Sequence, residues 1–283
     1  MVFRFLPHTI LSLVIMVLFS QMEMAVGSGT ESAPPQPPVT QFRHDHERWN
    51  RFLKKYVSLK DGINVVDYEA IKKNRREIDS YTENFQTIAG SEFSGLTENE
   101  RLAFLINAYN AFTIQLIVEN FPGIKSIKDI KPSFSLSNPT RSPWKVKFFK
   151  LFMEDHSLDD IEHEMIRKRF KEPRIHFAVV CASKGCPPLR DEVYVAEKLE
   201  EQLADATKTF LRNSLYNKYD AAENTLYLSS IFKWYGDDFV RTHGSVKAFV
   251  APYIAKTPEE ARLIQSDKTK IKYLDYDWSL NSK

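Results

Sequence analysis

Two cysteines in 283 residues exclude a disulfide-dense scaffold. There is no excess of one charge either. The 39 Lys and Arg stand against 37 Asp and Glu, a net of +2, and an electrostatic nucleic-acid binder carries a clear basic excess. No uninterrupted apolar run approaches the roughly 18 residues that a membrane span needs, which excludes a polytopic membrane protein. What the chain does have is 43% hydrophobic and 13% aromatic content. That is too much for a largely disordered chain and implies a globular core rich in Phe and Tyr.

The first 27 residues have the anatomy of a secretory signal peptide: Arg4 in a short n-region, an apolar h-region over 10–19, and small residues at Ala25-Val26-Gly27. A signal anchor is the alternative. The expected location is therefore secreted, periplasmic or within the secretory pathway. Residues 28–41 include Pro34, Pro35, Pro37 and Pro38 among small polar residues and read as an extended linker. Residues 42–283 show no repeat and no second linker, so they read as one domain. Asn138 is followed by Pro139, and the domain has no usable N-glycosylation acceptor.

Apolar spacing predicts helices over 42–58 and 68–88. Thr97 with Glu100 is a capping box that opens a helix reaching about Asn120, apolar nearly all round and hence a buried central helix. Residues 144–153 read as one or two strands. Ser157 caps a helix over 158–170. Residues 175–182 are short, apolar and partly β-branched and read as a buried strand. Helices follow over 196–212, 231–239, 245–254 and 258–265, with strands at 225–228 and within 273–281. Helices outnumber strands without regular alternation. That predicts an α+β fold, a helix-rich single domain whose central helix packs on a small, mainly antiparallel sheet.

The densest chemistry runs from His176 through Cys181 to Cys186. Three readings stand. Cys186 is a nucleophile with His176, or His163, as its base; or Cys181 and Cys186 form a disulfide, which an exported compartment favours; or His and both Cys bind a metal, with only three ligands at unusual spacing. Asn107 and Asn110 lie mid-helix with Tyr109 between them. Their buried amides either anchor a neighbouring loop or polarise a substrate carbonyl. Glu162 and His163 lie on the 158–170 helix as a flanked imidazole or as surface residues. Lys233 and Trp234, in an aromatic helix with a Lys233–Asp237 pair, are core or cleft wall.

These stretches, with Leu228 to Tyr235 and Tyr276 to Asn281, resemble the domain-of-unknown-function 547 family in order, over about 102–281. Weaker is an architectural resemblance to papain and transglutaminase-like thiol enzymes, in which a base His begins a strand beside a central helix. In this chain the central helix carries no Cys. The resemblance implies a thiol-dependent hydrolase or acyl transferase acting on a peptide, amide or thioester bond. Cys186 would attack, His176 or His163 would serve as base, Glu162 would orient the imidazole and Asn107 and Asn110 would polarise the carbonyl. Tyr109, Cys181, Lys233 and Trp234 are the expected substrate contacts. The alternative is a non-catalytic binding module clamped by a Cys181–Cys186 disulfide. In either case the expected partner is a peptide or small molecule. The chain is expected to be monomeric, with no cofactor, metal or nucleic acid, and no membrane once the leader is removed.

Overall fold

The computed structural model describes residues 46–60, 63–133, 138 and 141–283. The expected leader and linker lie outside the described residues. Gln41–Lys283 form one compact unit.

The chain opens with α1 (His46–Tyr56), the hairpin β1 (Val57–Lys60) and β2 (Ile63–Val66), then α2 (Tyr68–Lys73), α3 (Arg76–Gln86) and α4 (Gly90–Gly95). The helix expected over 68–88 is two. The Asn74 side chain donates to Ala70 O at 3.0 Å, an amide back-bond that ends α2 before α3 restarts. Next comes α5 (Glu98–Asn120). Its capping box is formed: Thr97 N–H donates to Glu100 Oε2 at 2.7 Å, and Glu100 N–H to Thr97 Oγ1 at 3.3 Å. α5 is long and apolar enough to cross a membrane by composition alone, yet 89% of its apolar window is buried inside the protein. It is the axis of the larger core. Phe112 stacks on Phe149 at 3.8 Å, and Phe104 meets the edge of Phe85 at 4.9 Å.

The hairpin of β3 (Phe149–Leu151) and β4 (Glu154–His156) follows, then a π-helix, Asp160–Arg167. Ser157 and Asp160 make the expected cap in both directions. The expected strand over 175–182 does not form. Pro173–Phe177 is a 3₁₀ turn, opened by Pro173 and capped by Glu172, whose side chain accepts from Arg174 N–H at 2.9 Å. The next residues find their partner in a side chain instead of a strand. Asn110 Nδ2 donates to Ala178 O at 2.9 Å, and Val180 N–H donates to Asn110 Oδ1 at 3.0 Å.

The remainder holds α6 (Leu199–Leu211), β5 (Lys218–Asp220), β6 (Thr225–Ser229), α7 (Ile231–Trp234), α8 (Gly236–His243), α9 (Val246–Ile254), α10 (Pro258–Gln265) and β7 (Lys270–Leu274). β5 pairs antiparallel with β6, and β6 pairs parallel with β7 across the α7–α10 crossover. A second core of Phe177, Phe210, Phe232, Phe239 and Phe249 packs around this sheet. The architecture is α+β and helix-rich, with a buried central helix. Its strands are divided among small, mainly antiparallel sheets rather than gathered into one.

Candidate active site

A cavity of about 300 Å³ opens between the π-helix, the thiol loop, α7 and the segment after β7. Tyr109, Glu162, His163, His176, Cys181, Cys186 and Trp234, all singled out in the sequence, line it. Asn107, Asn110 and Lys233 do not.

Both asparagines are committed to backbone. Asn107 Nδ2 donates to Tyr194 O at 2.7 Å, and Tyr194 N–H returns a bond to Asn107 Oδ1 at 3.1 Å. Asn110 clamps Ala178 and Val180 in the same two-handed way. Buried amides satisfied at both ends hold the loops that carry the site, the anchoring reading of these residues. Lys233 is exposed, and the buried acid of its segment is Asp238.

The thiol side is a tight loop. Ala182 takes φ +61°. Gly185 lies where an added Cβ would meet Asp277 N at 2.9 Å and Asp277 O at 3.0 Å, so only glycine fits against that backbone. Lys184 N–H donates to Ser279 O at 2.8 Å and Gly185 N–H to Asp277 O at 2.9 Å. Asn281 N–H donates to Ala182 O at 3.2 Å, and Val66 N–H to Asn281 O at 2.8 Å. The 276–283 segment thus ties the thiol loop to β2.

Both cysteines are free thiols, with sulfurs 3.2 Å apart. Cys186 is buried, and its Sγ accepts the Cys181 N–H at 3.0 Å. Cys181 is half-buried, and its Sγ also lies 3.2 Å from Ser183 Oγ and 3.1 Å from Tyr276 OH. Hydrogen bonds from Cys186, Ser183 and Tyr276 favour the charged sulfur and pull the Cys181 thiol down to about 7 against the cost of burial. Burial and the neighbouring sulfur push Cys186 the other way, well above an ordinary thiol.

The imidazole side is held by charge. His176 is 3% exposed, and its Nε2–H donates to Asp238 Oδ2 at 2.8 Å. Because an ionised carboxylate only accepts, the ring proton sits on Nε2 and the lone pair on Nδ1. Tyr235 stacks on the ring at 4.0 Å. Burial lowers the His176 pKa, partly offset by Asp238 and Glu162, so the imidazole is neutral. Asp238 also accepts from Arg167 Nε at 2.7 Å and from Arg241. His176 and Arg167 hold it well below the usual carboxylate range despite burial.

Glu162, expected to orient the imidazole, instead accepts from Tyr109 OH at 3.0 Å and bonds Tyr235. Asp238 has the orienting role. His163 accepts from Arg167 Nη1 at 3.0 Å through Nδ1, and its Nε2 lies 3.7 Å from Asp159. Sequence reasoning missed Asp238, Tyr235 and Tyr276 as site residues. Asp238 carried one weak signal, an acid set among aromatics, and its contact with His176 spans 62 positions. Among the described residues no group of three or more His, Cys, Asp or Glu is arranged to hold a metal ion.

A family model described as "Protein of unknown function, DUF547" matches residues 93–211. The match spans α5, the π-helix and the thiol loop, and stops before Trp234, Asp238 and Tyr276. No curated protein and no solved structure matches the chain.

Proposed function

Residues 93–211 match the model of the DUF547 family, and from that starting point we propose that the protein is an exported thiol-dependent hydrolase or acyl transferase acting on a peptide, amide or thioester bond. Cys181, rather than Cys186, is the attacking residue. The observation that carries this reading is the Cys181 sulfur itself: half-buried on the cavity wall, in contact with Ser183, Tyr276 and Cys186, and acidified to about 7. Near-neutral thiols combine thiolate population with nucleophilicity.

In this reading His176 Nδ1 takes the thiol proton, and Asp238 stabilises the imidazolium that results. The thiolate adds to the carbonyl carbon, and the carbonyl π electrons move to oxygen. Collapse of the adduct breaks the bond to the leaving amine or thiolate, which takes the proton from the imidazolium. Water, or a second acceptor, attacks the acyl–sulfur bond and restores the thiol. Because Asn107 and Asn110 are committed elsewhere, the hydroxyls of Tyr276 and Ser183, already at the sulfur, are the donors to the oxyanion.

One observation favours the second reading, a binding module with a Cys181–Cys186 disulfide. The sulfurs already touch in a locked loop, and bonding them requires an approach of about 1 Å. Alkylation by iodoacetamide, read by peptide mass spectrometry with and without reductant, separates the two. The thiol enzyme gives Cys181 labelled ahead of Cys186, with a rate half-maximal near pH 7. A bonded pair that labels only after reduction, or a midpoint at an ordinary thiol value of about 8.5, overturns it.

A further inference from the structure

The cavity has a second, aromatic character beside the thiol chemistry. Trp144, Trp234, Trp278 and Tyr276 line it. Their rings lean on one another at varied angles: Trp234 stacks on Trp278 at 5.6 Å, Tyr276 tilts against Trp278 at 4.6 Å, and Trp144 meets Trp278 edge-on at 5.9 Å. Trp234 is 45% exposed, a large apolar surface left open to solvent. The charged side chains among the lining residues are two carboxylates, Asp159 and Glu162, and among the described residues no Lys or Arg lines the cavity. Both carboxylates belong to the walls of an aromatic recess.

Aromatic faces attract cations through the ring quadrupole, and a caged ammonium gains most when it is desolvated. The protein uses the same attraction on these walls. Lys128 Nζ lies 3.6 Å from the Trp278 ring centroid, and the Arg167 guanidinium lies 4.9 Å from that of Tyr235. Among the described residues, no Lys or Arg is seated on the exposed Trp234 ring. We propose that the Trp234–Trp278–Tyr276 ledge, with Glu162 and Asp159 as counter-charges, is a subsite for a quaternary ammonium group on the ligand. The proposal takes the cavity to be the substrate site, as the preceding reading does, and names the substrate class: an acyl compound carrying a methylated ammonium.

Calorimetric titration of the whole protein tests it with three probes: choline, a short peptide carrying Nε-trimethyllysine, and 3,3-dimethylbutan-1-ol, the neutral isostere of choline. The expected result is that at least one cation binds about tenfold or more tightly than the alcohol. Choline ahead of the peptide marks a small molecule or headgroup as the source, and the reverse order marks a modified protein. Trp234→Ala weakens the cation about tenfold, Trp234→Phe restores most of the binding, and an unchanged melting curve shows that the fold is intact. Glu162→Gln weakens the cation while leaving the alcohol alone. Equal binding of alcohol and cations, no binding of either cation, or indifference to Trp234→Ala overturns the subsite. The titration needs no turnover. A slow Cys181 therefore sinks the acyl-transfer reading and leaves this result standing, whereas a failed titration leaves the alkylation rate untouched.

Discussion

The two sides of the cavity are held by different forces. On the thiol side, main chain meets main chain: Lys184, Gly185 and Ala182 bond the 277–281 backbone. On the imidazole side one buried carboxylate, Asp238, gathers His176, Arg167 and Arg241. The first arrangement fixes shape through uncharged main-chain bonds. The second fixes protonation and tautomer, and it fails when its charge is removed. In the proposed reaction a thiol needs to be placed, whereas a base needs to be both placed and kept unprotonated, and the division suits those two proposed roles.

The largest break in this contrast is Asp238→Ala. It strands two arginines and the Nε2–H of His176, and breaking a buried ion pair from one end costs about 3–5 kcal/mol. The expected result in urea unfolding is a loss of about 3 kcal/mol or more, and the loss shrinks at acid pH because the wild-type carboxylate is then neutralised too. Gly185→Ala comes next. Its Cβ would press on the Asp277 backbone, which cannot rotate away, and overpacking of this kind costs about 1–3 kcal/mol. This loss is already present at pH 5, where both thiols are protonated in the folded and the unfolded chain, and alkylation of Cys181 loses its low-pH midpoint. A Gly185→Ala effect that vanishes at pH 5 would erase the distinction between the two sides.

A pH series on the wild type sharpens the contrast further. His176 is depressed by burial, so as pH falls through the ordinary imidazole value of about 6.5 the unfolded chain takes a proton that the folded one refuses, and stability declines. Asp238 is also depressed. Its contribution is present above the ordinary carboxylate value of about 3.9 and is lost as pH falls below it. Urea midpoints between about pH 7.5 and 3 follow both steps, and Asp238→Asn flattens the lower one. The smallest effect belongs to Lys233→Ala. The side chain is exposed and off the cavity, so stability shifts by less than about 0.5 kcal/mol and Cys181 reactivity is unchanged.

Legibility in the sequence followed the range of the forces. α5 was readable because its cap, its apolar run and its end are all local. The meeting of Cys181, Cys186, His176 and Glu162 was readable as a cluster of chemistry, though not as geometry. The 175–182 segment misled because its composition is that of a strand. Asn110 satisfies Ala178 and Val180 from α5, 68 and 70 positions away, and no periodicity in the segment records a side chain that stands in for a neighbouring strand. Asp238 was hidden for the same reason. Next to Asp237 it looks like an ordinary helix acid, and only the fold shows which of the two turns inward. The choice between the cysteines depended on Tyr276, which approaches Cys181 from 95 residues further along the chain.

That separation has a consequence in time. At about 5–20 residues per second of synthesis, some 5–20 s pass between the emergence of Cys181 and that of Tyr276. Through that interval the backbone that will clamp Lys184 and Gly185 has not yet been made. The nascent chain carries two neighbouring thiols without their housing, and a long-range closure of this kind is slow to form even once the segment is present. The protein is therefore most open to oxidation or mispairing at these cysteines while it is being made, and the strand-like tether that finishes the site also ends that exposure.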